Sequence, residues 1–251
     1  MEEATYHTPL TKRNVSHHAA VAIIHNKRND RFLFDVYGEN YSTVDYHGRI
    51  NLIGGNHNSD DLSPWEIWKR EICEEFSLEE TEELGEKLDI EVSGHLKREK
   101  VFAPLEDIVA VRNAILANAQ PYSDFYFETP PLRKIQRGKI MSIPRRSCVY
   151  SVYASCLSDD LFGLMKEHLA ALRNIKQEGF PAIHTREELV SGKILPAAGT
   201  GLILEHYLKL PEKSIPNPDG VILEKLRKPL PLMEHYLTYF SYNRPVRIST
   251  G

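Results

Sequence analysis

Cysteine is scarce in this chain, and its 3 copies, Cys73, Cys148 and Cys156, are an odd number with no CxxC spacing. That argues against a disulfide framework and against a thiolate zinc site, and it fits a reducing, cytoplasmic setting. Long apolar runs are missing too. Nothing approaches the roughly 18 consecutive apolar residues of a membrane span. The stretch from Met1 to Asn14 is polar and has no apolar signal core. Neither secretion nor a membrane partner is expected. Charge of one sign is also not in excess: 31 basic against 35 acidic residues leave a formal charge of -4, which offers a polyanion no global attraction. A nucleic-acid partner is therefore not expected, and any such role would have to rest on a local patch.

What remains is the balance of a folded protein, 41% hydrophobic and 26% charged over 251 residues, enough for one large domain or a medium one with an appendage. The run Ala19 to Ile24, a polar turn at Asn26 to Asp30, and Phe32 to Val36 read as two strands. Asn51-Leu52-Ile53 leads into Gly54-Gly55, read as a glycine turn that permits close approach. Residues 88–102 suggest one or two strands, Ser147 to Ala154 a central strand, and Pro181 to His184 another. Helices are expected at about Asp159 to Arg173, Arg186 to Leu189 and Gly199 to Leu208. The Pro-, Tyr- and cation-rich stretch 118–146 reads as an insertion or long loop. The proline-rich end reads as a partly extended tail with a short helix near Leu232 to Tyr239.

The clearest helix starts at Ser63-Pro64, with Ser63 as N-cap, Pro64 at the first helical position and Glu66 three residues after the cap. Trp65, Trp68, Ile72 and Phe76 fall within roughly 80° of one another and define its buried face. Beside them Glu71, Glu74 and Glu75, at i, i+3 and i+4, form one acidic stripe whose mutual repulsion a divalent cation would reverse. Magnesium takes hard oxygen ligands from a few carboxylates plus substrate phosphates. The Gly55 carbonyl could join them, Gly54 and Gly55 would leave room for a diphosphate, and Arg70 could fix a carboxylate bidentately.

Gly55 and the run Arg70-Glu71-Ile72-Cys73-Glu74-Glu75-Phe76-Ser77-Leu78 resemble the Nudix box, G-x5-E-x7-R-E-U-x-E-E-x-G-U with U aliphatic. Two departures stand out. Ser77 replaces the usual glycine, and the spacing from Gly55 to Arg70 is one residue longer. This puts Leu62 in the register of the early glutamate and leaves Asp61 as the nearest acid. A second segment, Gln177 to Pro181 followed by Thr185-Arg186-Glu187-Glu188-Leu189, resembles the late E-G…S-x-D-E-L segment of MutT-like members, and marks Glu178 as a fourth acid. The resemblance implies an α/β fold, an α/β/α sandwich around a mixed β-sheet. It spans residues 17–210 with the insertion at 118–146, an N-terminal extension 1–16 and a C-terminal extension 211–251.

By the same resemblance, Glu71, Glu74, Glu75 and the Gly55 carbonyl would hold Mg²⁺, with Mn²⁺ as the alternative. Arg70 and Glu178 complete the catalytic set, with Glu178 or Glu71 as general base, and Gly54 and Gly55 contact substrate. The implied activity is water attack on phosphorus in a small-molecule nucleoside-diphosphate derivative; homodimers are common in the family. The family's substrate markers do not narrow this. Gly94-His95-Leu96 stands where ADP-ribose enzymes carry a proline and dinucleoside-polyphosphate enzymes a tyrosine. An alanine of Leu195 to Gly199 stands where oxidised-guanine enzymes place an asparagine.

Against these stand plainer readings: R-E-x-x-E-E helices also occur as solvated faces, and Glu178 also reads as a loop glutamate in water. His17 and His18 read as surface histidines rather than metal ligands, Trp65 and Trp68 as core. The basic residues Arg133, Lys134, Arg137, Lys139, Arg145 and Arg146 read as a solvated loop, or more sharply as a phosphate-gripping lid or subunit contact. The alternative function is a catalytically weak Nudix module that senses a nucleotide ligand, which the displaced glutamate and Ser77 would suit. A third is RNA processing through the basic loop, which the overall acidity disfavours.

Overall fold

Strand β1 (His17–Asn26) carries the apolar run, and all but its first residue are buried. In the computed structural model, which describes residues 15, 17–58, 60–76, 105–164 and 179–226, this strand is enclosed on both edges. β8 (Arg146–Leu157) runs parallel along its whole length. On the other edge, β4 (Ile53–Asn56) pairs antiparallel with its first half and β2 (Arg31–Tyr37) with its second. Parallel strands covered on both faces read as continuous apolar runs, which is why 19–24 and 147–154 were legible as strands.

The remaining strands are β3 (Ile50–Asn51), β5 (Ala119–Thr129), β9 (Gly179–Thr185) and β10 (Ile222–Lys225). Together they complete a mixed eight-stranded sheet of order β10-β5-β8-β1-β2-β3, with β9 on the free edge of β2. Alternate residues of β1 feed two cores. Ala20, Ala22 and Ile24 pack with Ile67, Trp68, Ile72 and Phe76 of or just after helix α1 (Pro64–Glu75), and with Val111 and Ile115 of α2 (Leu105–Ala117). Ala19, Val21 and Ile23 pack with Ile203 and Leu204 of α4 (Thr200–Leu208); the short α3 (Arg186–Val190) contributes Leu189 to this core. The expected layering of helices on both faces of a mixed sheet is thus present.

Several expectations are corrected. Gly54 and Gly55 lie within β4, paired with Val21 and Ala20, rather than in a turn. Stretch 118–146 is not a loop: β5 pairs with β8 along its length, with a register shift between Pro121 and Ser123 that accommodates the proline. Its alternation, Phe125 and Phe127 inward to one core, is short and interrupted by that irregularity. The rest forms a separate two-stranded ribbon, β6 (Leu132–Gln136) and β7 (Lys139–Ile143). Its two-residue turn places Arg137 and Gly138 at φ of 50° and 72°, the positive pair that tight hairpins use. His17 and His18 are not surface residues, because β1 is central: His18 is fully buried and His17 half-buried.

Trp65 is 38% exposed, and Ile67 takes its expected place on the buried face. Residues 159–164 are helical as expected; the rest of that helix, the strands expected at 88–102 and the helix expected near 232–239 lie outside the described residues. The tail continues past α4 to β10, held where Asp219 accepts from the Arg49 guanidinium and the Ala198 N–H. Among the described residues, no helix is long and apolar enough to cross a membrane.

Trp68 is fully buried and stacks on Tyr153 with ring centroids 5.3 Å apart at 20°. Truncating it should leave a large cavity: Trp68→Ala is expected to cost about 3–5 kcal/mol in urea unfolding. Trp65→Ala should cost about 1 kcal/mol or less. Equal losses in the two variants would contradict the assignment of the α1 face.

Candidate functional site

Helix α1 begins as its sequence dictates. Ser63 is extended, its hydroxyl accepts from the Glu66 N–H at 3.3 Å, and Pro64 occupies the first position, where no amide donor is needed. The Glu66 carboxylate accepts from the Leu62 N–H at 2.6 Å instead of closing back on Ser63. With Ile67, Trp68 and Ile72 pressed onto β1 and β4, Glu71 is carried against the end of β4.

There the two glycines are required. Gly54 has φ of 144°, and a Cβ on it would collide with the backbone of Ala20 and Val21. A Cβ on Gly55 would collide with the Glu71 carboxylate, which lies on the face the missing side chain leaves open. The space expected to admit a diphosphate is filled by Glu71.

Arg70 organises the acids. Its Nε and Nη2 donate to the two oxygens of Asp61 at 3.2 and 2.9 Å, the bidentate geometry anticipated from sequence. Its Nη1 donates to Glu71 Oε1 at 2.6 Å and, at 3.3 Å, to Glu74; its Nη2 also reaches the Asn56 carbonyl at 2.8 Å. Asp61 is held from behind, accepting from the Asn58 N–H at 2.7 Å. Burial works to raise the Asp61 carboxyl pKa, but the hydrogen bonds from Arg70 and Asn58 outweigh it, and the net shift is downward. Glu71 goes the other way: burial pushes its carboxyl up, and Arg70 only partly offsets this. Arg70 is shifted upward, chiefly by Asp61.

The structure therefore brings together Arg70, Glu71, Glu74 and Gly55 of the expected set. Glu74 is 57% exposed at the rim. Glu75 is half-buried and has interactions of its own. Glu178 lies outside the described residues. Sequence spacing left Asp61 only as the nearest acid; its service as the bidentate partner of Arg70 needed the turn at 58–61 to be seen.

A second buried polar line joins this corner to the sheet. His57 Nε2 donates to the Asp61 carbonyl at 3.1 Å, the His57 N–H donates to the His18 carbonyl, and His18 Nε2 meets Ser151 Oγ at 2.8 Å. Nothing in the sequence pattern marked this line, since His18 was assigned to the surface.

The donor chemistry suits a hard divalent cation: oxygen donors only, one carboxylate wedged over a glycine whose Cβ would displace it, and burial that disfavours its bare charge. Among the described residues, however, no three His, Cys, Asp or Glu side chains converge closely enough to hold a metal. The Arg70 guanidinium occupies the position between Glu71 and Glu74 that would have to open. In comparisons with known proteins, no family model matches the chain and no curated protein matches it.

Two outcomes test this electrostatic picture. Asp61→Asn should cost about 1–3 kcal/mol at pH 7. Because the Asp61 pKa is depressed on folding, its stabilisation is present above the unfolded value and is lost as pH falls through the folded one. The gap between variant and wild type should therefore close below about pH 4 in urea titrations. His18 is lowered to about 3, first by burial and then by His57 and His17. The unfolded state thus binds the extra proton below about pH 6.5, and stability should fall with acidification. His18→Gln should flatten that fall by about 2 kcal/mol between pH 6.5 and 5. An unchanged slope would show that His18 keeps its proton in the fold.

Proposed function

We propose that the protein is a Nudix-type, Mg²⁺-dependent hydrolase that cleaves the pyrophosphate bond of a small nucleoside-diphosphate-linked compound. The observation that carries this reading is the Glu71 carboxylate seated on Gly55 and coupled through Arg70 to Asp61 and Glu74, within the run Arg70 to Glu75 that resembles the Nudix box. The ligands would be Glu71, Glu74, Glu75 and the Gly55 carbonyl. Bound there, the metal would polarise phosphoryl oxygens and lower the pKa of a coordinated water.

The chain's own contribution is positional. Arg70, fixed bidentately by Asp61, sets the rotamer of Glu71, and Gly55 lets that carboxylate lie flat against the sheet edge. As the water oxygen bonds to phosphorus and the bridging P–O bond breaks, a carboxylate must accept the water's proton. Glu71 and Glu178 are the two candidates for this. The leaving phosphate carries away the bridging oxygen.

A weakly catalytic nucleotide sensor is the second reading. It is favoured by one observation, the engagement of Glu71 and Glu74 by Arg70 without convergence on a cation position.

The test is product release from a panel of nucleoside-diphosphate compounds with Mg²⁺, comparing wild type, Glu74→Gln and Glu75→Gln. Wild-type turnover that falls about 100-fold or more in each variant is expected of a metal-dependent site. Compounds that bind in calorimetry but are never cleaved would replace the hydrolase with the sensor.

A further inference from the structure

Residues 131–146 contain six cations and no acid, against a chain of net charge -4. Arg133, Lys134, Arg137 and Lys139 stand on the ribbon of β6 and β7, while Arg145 follows it and Arg146 opens β8. Cross-strand pairs set its faces: Lys134 opposite Met141 and Gln136 opposite Lys139 on one, Arg133 opposite Ser142 and Ile135 opposite Ile140 on the other. Ile135, Ile140 and Met141 are 41%, 64% and 51% exposed, whereas Leu132 and Ile143 anchor the root.

The cations near the root are engaged by the protein, Lys134 and Arg146 included. Arg133 binds Asp45 through Nε at 2.8 Å and through its backbone N–H at 2.6 Å, and Arg145 reaches Glu128 at 3.3 Å. Arg137 and Lys139 project at the exposed tip, and Lys134 is half-buried behind them. The ribbon is also stitched to a neighbouring segment, by the Thr43–Lys134 bridge and by the Ile135 N–H donating to the Ser42 carbonyl at 2.8 Å. That segment begins with Tyr41, which stacks on Tyr37 with centroids 4.0 Å apart at 22°; Tyr37 in turn stacks on Tyr46 at 5.6 Å and 17°. An ordered aromatic column ending in a half-buried tyrosine thus stands beside the basic ribbon.

We propose that this surface binds single-stranded nucleic acid, with the phosphodiester backbone along Arg137 and Lys139 and a base packed against the accessible part of Tyr41. Cations that track a backbone beside an aromatic platform are the shared physics of sequence-tolerant single-strand binding. A duplex hides its base faces and would leave the column unused, and so would an acidic peptide. Glu39, exposed two residues before Tyr41, weakens the local field and favours a moderate, salt-sensitive affinity. The inference does not rest on the hydrolase reading.

The experiment is fluorescence anisotropy of a labelled short oligouridine with the full chain. Two phosphate contacts predict a slope of log K against log salt of about -1.4. The double variant Arg137→Glu/Lys139→Glu should weaken binding about tenfold or more at low salt with an unchanged thermal midpoint. Tyr41→Ala should weaken it about fivefold or more, and Tyr41→Phe should restore it. Glu74→Gln should bind as wild type does, and a wild type that binds the oligonucleotide yet cleaves no nucleoside-diphosphate compound sinks only the hydrolase. Salt-insensitive or absent binding, no loss in the double variant, or a duplex or acidic peptide bound as tightly as the single strand would each overturn the proposal.

Discussion

Everything in this structure is arranged around a strand that has no free edge and no free face. β1 is hydrogen-bonded along one side by β8 and along the other by β4 and then β2, and its alternate residues enter different cores. On the side of α1 those residues are Ala20, Ala22 and Ile24, and the adjoining strand offers Gly54 and Gly55. Small residues on that surface let a helix bearing Trp68 and Ile72 lie close to the sheet, and closeness brings Glu71 to the Gly55 backbone. The same enclosure traps His18 and His57 away from water, where His18 Nε2 meets Ser151 Oγ and His57 Nε2 donates to the Asp61 carbonyl.

The candidate site is an electrostatic consequence of that packing. One guanidinium, 27% exposed, meets three carboxylates of very different exposure: Asp61 at 5%, Glu71 at 16% and Glu74 at 57%. The most buried, Asp61, is the best hydrogen-bonded and is held below the usual carboxylate range, whereas Glu71 bears a burial penalty that Arg70 does not fully cancel. Asp61 with Arg70 forms a rigid base, and Glu71 is the residue whose charge remains only partly compensated. Such an imbalance is what a proton or a cation relieves, and it underlies the proposed chemistry.

Charge elsewhere is segregated by architecture. The acids are spread through the body, while Arg133, Lys134, Arg137 and Lys139 are lifted onto a ribbon outside the main sheet, with Asp45 answering Arg133 at its root and Glu128 answering Arg145 just beyond it. Net charge averages over this separation and conceals it.

By itself the sequence determined the elements whose stabilisation is local or strongly periodic: β1 and β8 as apolar runs, α1 with its Ser63 cap and Pro64 start, the short helix α3, and the placement of Glu71, Glu74 and Glu75 on one stripe. Only tertiary structure decided features that depend on residues far apart in the chain. Gly54 and Gly55 became a strand because Val21 and Ala20 pair with them. Trp65 ceded the buried face to Ile67, β5 emerged from a proline-rich stretch because β8 offered it a ladder, and His18 was buried because its strand is central. The resemblance to a known box selected the acids, but the bond from Arg70 to Asp61 and the seat of Glu71 on Gly55 are facts of packing. Hydrophobic period and capping act within a few residues of the chain, whereas burial, pairing and compensation of charge are settled only when distant segments meet.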